Sequence, residues 1–259
     1  MVILAGCGRA EKGEPPLGGR IANSKHVVDE IRQALERRAI SITVSFDYGQ
    51  EIFAELDEAV SGWMERALEN TESPTQGDYI RYQYGGYSYQ SEYSLRDGRY
   101  RYKVKIIPVY YSTQEEEEQV SEAFSRLKKE LGIHFWTSGE KKTKAVYEYL
   151  TKEVSYDRVH GKNPYSHIGS TAYAALVNKS ATCQGYCAAM YRLLKESGLD
   201  CRIITGQAGD EALHAWVAVK IKGEWLYADP TWDAGSEGWE YFLKTIDDFP
   251  DHEMVGMEG

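Results

Sequence analysis

The stretch TCQGYCAAMYRLLKESG, residues 182–198, decides how this chain is read. Its apolar positions Tyr186, Ala189, Met190, Leu193 and Leu194 recur at the spacing of one helix face. Thr182 stands where an N-cap belongs and Gly198 where a helix stops, so a helix is predicted over 183–197. Cys183 then falls in the first turn, where unpaired amides and the positive dipole end favour a thiolate. The same amides can donate to an oxyanion formed on an attacked carbonyl. A thiol is a weak nucleophile at neutral pH, so a reactive cysteine needs this help and a base besides.

The base and its partner lie downstream, in HAWVAVKIKGEWLYADPTWD at 214–233. The two halves alternate with period two around Lys222-Gly223, which predicts a hairpin. With that two-residue turn, Asp229 is opposite Trp216, one pair from His214. Residues sharing a face put the Asp229 carboxylate and the His214 imidazole on the same side. A carboxylate so placed holds the imidazole in the tautomer that a thiol needs. Each residue has an ordinary alternative: Cys as a small core hydrophobe, His beside Trp as packing, Asp before Pro-Thr as a turn former. Their joint occurrence in this order favours the catalytic reading.

These segments, with ALVNKSATCQGYCAAMYRLLKESGLDCRIITG at 175–206, KAVYEYLTKEVSYD at 144–157 and YFLKTIDDFPDHEM at 241–254, resemble the transglutaminase-like superfamily of papain-fold thiol enzymes, in particular its bacterial branch. The resemblance implies Cys183 as nucleophile, His214 as base and Asp229 as orienting acid, with no metal and no organic cofactor. The family holds cross-linking transglutaminases, proteases, deamidases, glycan-removing amidases and inactive modules, so membership alone does not fix a reaction.

Composition sets the frame. The 259 residues are 42% hydrophobic and 27% charged, ordinary for a globular protein. Lys and Arg number 30 against 40 Asp and Glu, a net charge of −10 that argues against nucleic acid and offers no basic patch to an anionic membrane. Three zones follow. Residues 1–20 are Gly- and Pro-rich, a composition that favours a flexible tether. Residues 21–132 predict a mixed α/β domain. Val27, Val28, Ile31 and Leu35 mark a helix, Ile40, Ile42, Val44 and Phe46 a strand, and Ile52, Leu56, Ala59, Val60 and Trp63 a second helix. Tyr82, Tyr84, Tyr87 and Tyr89 suggest strands flanking Gly85-Gly86, and Tyr100, Tyr102, Val104 and Ile106 a further strand. Val120, Phe124, Leu127 and Leu131 then give a helix opened by acidic Glu115–Glu118, which suits its N-terminus. Residues 133–259 form the third, catalytic-like zone.

Ten of the 20 tyrosines lie between 79 and 111, and strand propensity accounts for them before a stacking platform for glycan or peptide does. Cys187 and Cys201 fit buried free thiols or, in an oxidising compartment, a disulfide; no finger-like spacing argues for zinc. Cys7 differs. Leu4-Ala5-Gly6-Cys7 resembles the bacterial lipobox, in which the Cys is lipidated and becomes the mature N-terminus, although only Met1-Val2-Ile3 precede it. A lipoprotein signal with its start missing is the expectation, and an acyl chain would anchor the protein without spanning the bilayer.

The sequence therefore predicts an α+β protein, an N-terminal mixed domain followed by a papain-type domain of helices on an antiparallel sheet. The expected activity is acyl transfer at amide bonds of peptides or proteins, cell-wall peptide included, by Cys183, His214 and Asp229. Hydrolysis leads because no feature demands exclusion of water; cross-linking, and a non-catalytic surface module for peptide or glycan, are the alternatives. Tyr186, Trp216 and Trp232 are candidate groove walls. The expected place is the cell envelope or outside it, through Cys7, with the cytoplasm as the alternative.

Overall fold

The computed structural model describes residues 24–161, 163, 166–209 and 211–254. Cys7 and its lipobox-like neighbours lie outside them. In the first half, helix α1 (Lys25–Glu36) and helix α2 (Leu56–Ala67) turn their apolar stripes to one face of an antiparallel sheet. Its strands β1 (Ile42–Tyr48), β2 (Tyr84–Arg96) and β3 (Arg99–Tyr110) are ordered β1-β3-β2, and the short helix α3 (Asp78–Arg81) leads into β2. Alternation along β3 buries Tyr102, Val104 and Ile106 against Ile31, Leu35, Val60 and Trp63. The Ile52 N–H donates to the Tyr102 hydroxyl at 2.8 Å, tying the approach to α2 onto the sheet.

Three expectations need correcting in this half. Ile40 is not in the strand; it precedes β1 and is 88% exposed. Gly85-Gly86 is not a turn between tyrosine strands. Strand β2 starts at Tyr84 with a bulge between Tyr84 and Gly86, and the hairpin turns at Asp97-Gly98, whose φ angles of 49° and 71° meet the demand of a two-residue turn. Tyr82 caps the C-terminus of α3 and is outside the sheet.

The second core is larger. Helix α4 (Gln114–Glu130) opens with a reciprocal capping box: the Glu116 N–H donates to Thr113 Oγ1, and the Thr113 N–H to the Glu116 carboxylate. Its Val120, Ala123, Phe124 and Leu127 share a core with helices α5 (Gly139–Glu153), α6 (Ala172–Leu176) and α7 (Cys183–Glu196). A two-residue parallel pair, β4 (Ser155–Tyr156) with β5 (Ser180–Ala181), leads the chain to α7. Beyond it the strands β6 (Cys201–Ala208), β7 (Glu211–Ile221), β8 (Glu224–Ala228) and β9 (His252–Met254) form an antiparallel sheet in the order β8-β7-β6-β9. Along β7 the residues Ala215, Val217 and Val219 belong to the core that α7 fills. Trp216 and Ala218 face the other way, into a small cluster with Ile204, Tyr227 and Phe249.

The two halves are bonded together. Buried Asp78 accepts from Arg202 at 2.7 Å and from the Ile203 N–H at 3.0 Å. The Gln83 side chain accepts from the Ala172 N–H at 2.9 Å. Among the described residues no helix is long and apolar enough to cross a membrane.

Candidate active site

Cys183 is the first residue of α7 and is partly exposed. Thr182 occupies the N-cap position but its side chain does not cap the helix. Its backbone N–H donates to Gly169 O at 2.9 Å, and its hydroxyl reaches the same carbonyl at 3.3 Å. The amides of the first turn, which begins at Cys183, are thus left without a side-chain acceptor from Thr182, and such amides can receive an oxyanion. Next to the cysteine, the Gln184 amide group donates to the Tyr82 carbonyl, so the N-terminal half reaches the turn that carries Cys183.

The hairpin brings the other two residues in. Its turn residues Lys222 and Gly223 have φ angles of 52° and 95°, and Val217 pairs with Ala228. Asp229 follows directly, and its Oδ2 accepts from His214 Nε2 at 2.7 Å. Asp229 Oδ1 accepts from the Thr231 N–H at 2.8 Å and the Trp232 N–H at 3.3 Å. Asp229 is fully buried, which by itself pushes a carboxyl up. Its bonds with His214, His252 and the Thr231 amide outweigh burial and hold it below the usual carboxylate range.

His214 shows the same contest with the opposite sign. Burial pulls the imidazole down, but hydrogen bonds with Asp229 and with Cys183, and the charge of both, push it up to about 10. With Nε2 engaged by Asp229, Nδ1 is the nitrogen left for the sulfur. An imidazole bonded to a carboxylate on one side and to a thiol on the other is the arrangement a thiol nucleophile would need. The other two thiols cannot play this part. Cys187 and Cys201 are buried free cysteines, and burial raises both thiols well above their ordinary value.

The groove walls named from sequence divide. Tyr186 and Trp216 are completely buried, so neither offers a surface to a substrate. The Tyr186 hydroxyl donates to the Val154 carbonyl inside the core, and Trp216 packs on Phe249 at 6.2 Å. Trp232 is half-buried, with its ring 5.7 Å from that of His214. Two supports escaped the sequence reading. Buried Tyr147 bonds the Asp229 carbonyl at 2.7 Å and Asp233 Oδ2 at 2.6 Å, and Asp233 accepts the Glu240 and Tyr241 amides at 3.0 Å each. His252, on β9, stands 3.2 Å from Asp229 Oδ2. His214, Asp229 and His252 offer ligand atoms within 4.8 Å of one another, the spacing at which an ion could be shared. Those same atoms are already hydrogen-bonded to each other.

Residues 133–230 match the family model of the transglutaminase-like superfamily. A solved structure of a TGase aligns at 17% identity over 59% of this chain, with a TM-score of 0.42, and only 46% of its own length is spanned. A chain from Cytophaga hutchinsonii, provisionally named a cysteine protease, aligns at 13% identity over 84% of this chain and 83% of its own, with a TM-score of 0.34. One from Parabacteroides distasonis, provisionally named a protease, aligns at 9% identity over 55% and 37%, with a TM-score of 0.31. No curated protein matches the chain. Residues 133–230 are thus similar to the transglutaminase-like superfamily, within a chain whose described residues form an α+β fold.

Proposed function

We propose that the protein is a thiol hydrolase that cleaves amide bonds of peptides or proteins through Cys183, His214 and Asp229. The observation that carries the reading is the buried His214–Asp229 bond of 2.7 Å, on an imidazole that also bonds Cys183 at the start of α7. In the first half-reaction the Cys183 sulfur attacks the amide carbonyl carbon while the first-turn amides of α7 receive the oxyanion. The carbon–nitrogen bond breaks, His214 gives its proton to the leaving amine, and the acyl group remains as a thioester on Cys183. Water then attacks the thioester, His214 takes up its proton, and the acid leaves as the thiolate–imidazolium pair returns. Asp229 keeps Nε2 protonated and Nδ1 turned to the sulfur throughout.

Hydrolysis is preferred to cross-linking because the nucleophile is partly open to solvent and water needs no dedicated acceptor site. The test is turnover of a fluorogenic peptide-amide library by the wild type and by Cys183→Ala. Release of the free acid by the wild type alone supports the reading. Products that appear only when an added primary amine is present would favour the transferase. Activity retained by Cys183→Ala would remove the nucleophile. For location, we propose lipid anchoring at the cell envelope through Cys7, supported by Leu4-Ala5-Gly6-Cys7 and the Gly- and Pro-rich stretch after it. Mass spectrometry of the native protein should find an acylated N-terminal Cys7; an unmodified Cys7 within a longer N-terminus would overturn this.

A further inference from the structure

Asp229 Oδ2 accepts from two imidazoles. His214 Nε2 lies 2.7 Å from it and His252 Nε2 3.2 Å. The other ring nitrogen of His252, Nδ1, lies 2.8 Å from the Pro250 carbonyl oxygen. A carboxylate only accepts, so the contact with Asp229 takes an N–H on His252 Nε2. The ring has no room to turn away. Its side chain is wholly buried, with ring centroids 4.2 Å from Phe249, 4.7 Å from Trp232 and 4.8 Å from Trp216. Its backbone is fixed as well, because β9 pairs His252 with Ala208 and Met254 with Gly206, the residue that also pairs with His214.

Asp229 Oδ1 is committed to the Thr231 and Trp232 amides, so Oδ2 alone serves the imidazoles. We infer that His252 is a positioning residue of this site: it shares Asp229 Oδ2 with His214, fixing the carboxylate and limiting how firmly it grips the His214 proton. The inference rests on the thiol-hydrolase reading above. An oxygen divided between two donors binds each less strongly than it would bind one. That matters because His214 must release its proton to the leaving amine, and an imidazole held too tightly is a poor general acid. Thiolate formation needs no such release. Loss of His252 should therefore damage proton delivery and spare the nucleophile.

The test separates those two steps. His252→Phe keeps an aromatic ring among Phe249 and Trp216 without a donor, and His252→Gln returns an N–H donor. In His252→Phe, iodoacetamide should label Cys183 at neutral pH within about twofold of wild type. On the fluorogenic peptide amide that the wild type cleaves best, kcat should fall about tenfold with KM little changed, and His252→Gln should recover most of the loss. Unchanged kcat in a folded His252→Phe, labelling and kcat falling together, or Gln no better than Phe would each overturn the inference. If His252→Phe does not fold, ring-nitrogen NMR of the wild type decides: His252 Nε2 should carry the proton that Asp229 accepts, and a bare Nε2 overturns the assignment. A wild type that cleaves no peptide amide and labels Cys183 no faster than a free thiol sinks the hydrolase reading instead, and the NMR result still judges His252.

Discussion

Gly185 sits so close to the carbonyl oxygen of Gly169 that a β-carbon on it would lie 2.2 Å away, with Thr171 O at 3.0 Å and the Ala181 methyl at 2.9 Å. The loop through 169–171 thus lies directly on the turn that carries Cys183, and only a glycine leaves space for it. Gly185→Ala sets two effects against each other. Alanine favours a helix over glycine by ~1 kcal/mol, whereas overpacking against fixed backbone costs about 1–3 kcal/mol. The steric effect should win. Thermal melts should show a net loss of stability, and iodoacetamide labelling of Cys183 should slow as the turn is displaced. A melt at or above that of the wild type would mean that the loop yields freely.

Thiol labelling gives the second prediction. Cys183 is partly open beside His214, while Cys187 and Cys201 are enclosed with their thiols raised by burial. In the folded protein at pH 6–7, iodoacetamide should modify Cys183 at least about 100-fold faster than either other thiol, since the thiolate is the reactive form. Peptide mapping after a short pulse measures the ratio. In denaturant the three should converge. Equal labelling in the native state would remove the case for an activated sulfur.

The His214–Asp229 pair makes stability depend on pH in a defined direction. His214 is raised from 6.5 to about 10 on folding, so its contribution is fully present below pH 6.5 and is lost as pH rises through about 10. Asp229 is lowered, so its contribution is present above the ordinary carboxylate value and is lost as pH falls through its folded value. Melting temperature should therefore fall between pH 7 and pH 10.5 in the wild type, and fall less in His214→Gln. Asp229→Ala, which leaves two buried imidazoles without their acceptor, should cost about 3–5 kcal/mol. Asp229→Asn should fold better yet lose at least about 100-fold in kcat, because an amide can stabilise the wrong tautomer; the comparable change in a serine triad costs ~10⁴. A parallel pH dependence in His214→Gln would assign the slope to other groups.

Local signals carried much of this fold. Thr182, the apolar face of α7 and Gly198, with φ at 79°, delimit a helix by themselves. Lys222-Gly223 sets a register from which the shared face of His214 and Asp229 follows. Where signals competed, the reading slipped. Asp97-Gly98 is as strong a turn signal as Lys222-Gly223, but Gly85-Gly86 lay among tyrosines and drew the turn to itself. Periodicity also could not separate Tyr186 from a groove wall, because α7 is buried on every side from Gly185 to Lys195. His252 left no periodic trace at all. It reaches Asp229 only because the three-residue strand β9 adds to the edge of β6, a pairing between segments far apart in the chain.

That edge pairing supplies the last prediction. A β-carbon on Gly206 would lie 2.0 Å from the Glu253 carbonyl oxygen and 2.8 Å from the Trp216 ring. One obstacle is backbone and the other a fully buried indole, so neither can give way cheaply. Gly206→Ala should push β9 off the sheet and take His252 away from Asp229. The expected cost is about 1–3 kcal/mol, with faster hydrogen exchange at 252–254 and little change in α1 and α2, which belong to the other core. Gly49→Ala is the control: its β-carbon would meet nothing within 4 Å, and its φ is not in the left-handed region. It should be neutral or slightly stabilising, by up to about 1 kcal/mol. Unchanged exchange at 252–254 in Gly206→Ala would show that β9 tolerates the methyl group. The close approach would then not be what docks His252 on the carboxylate.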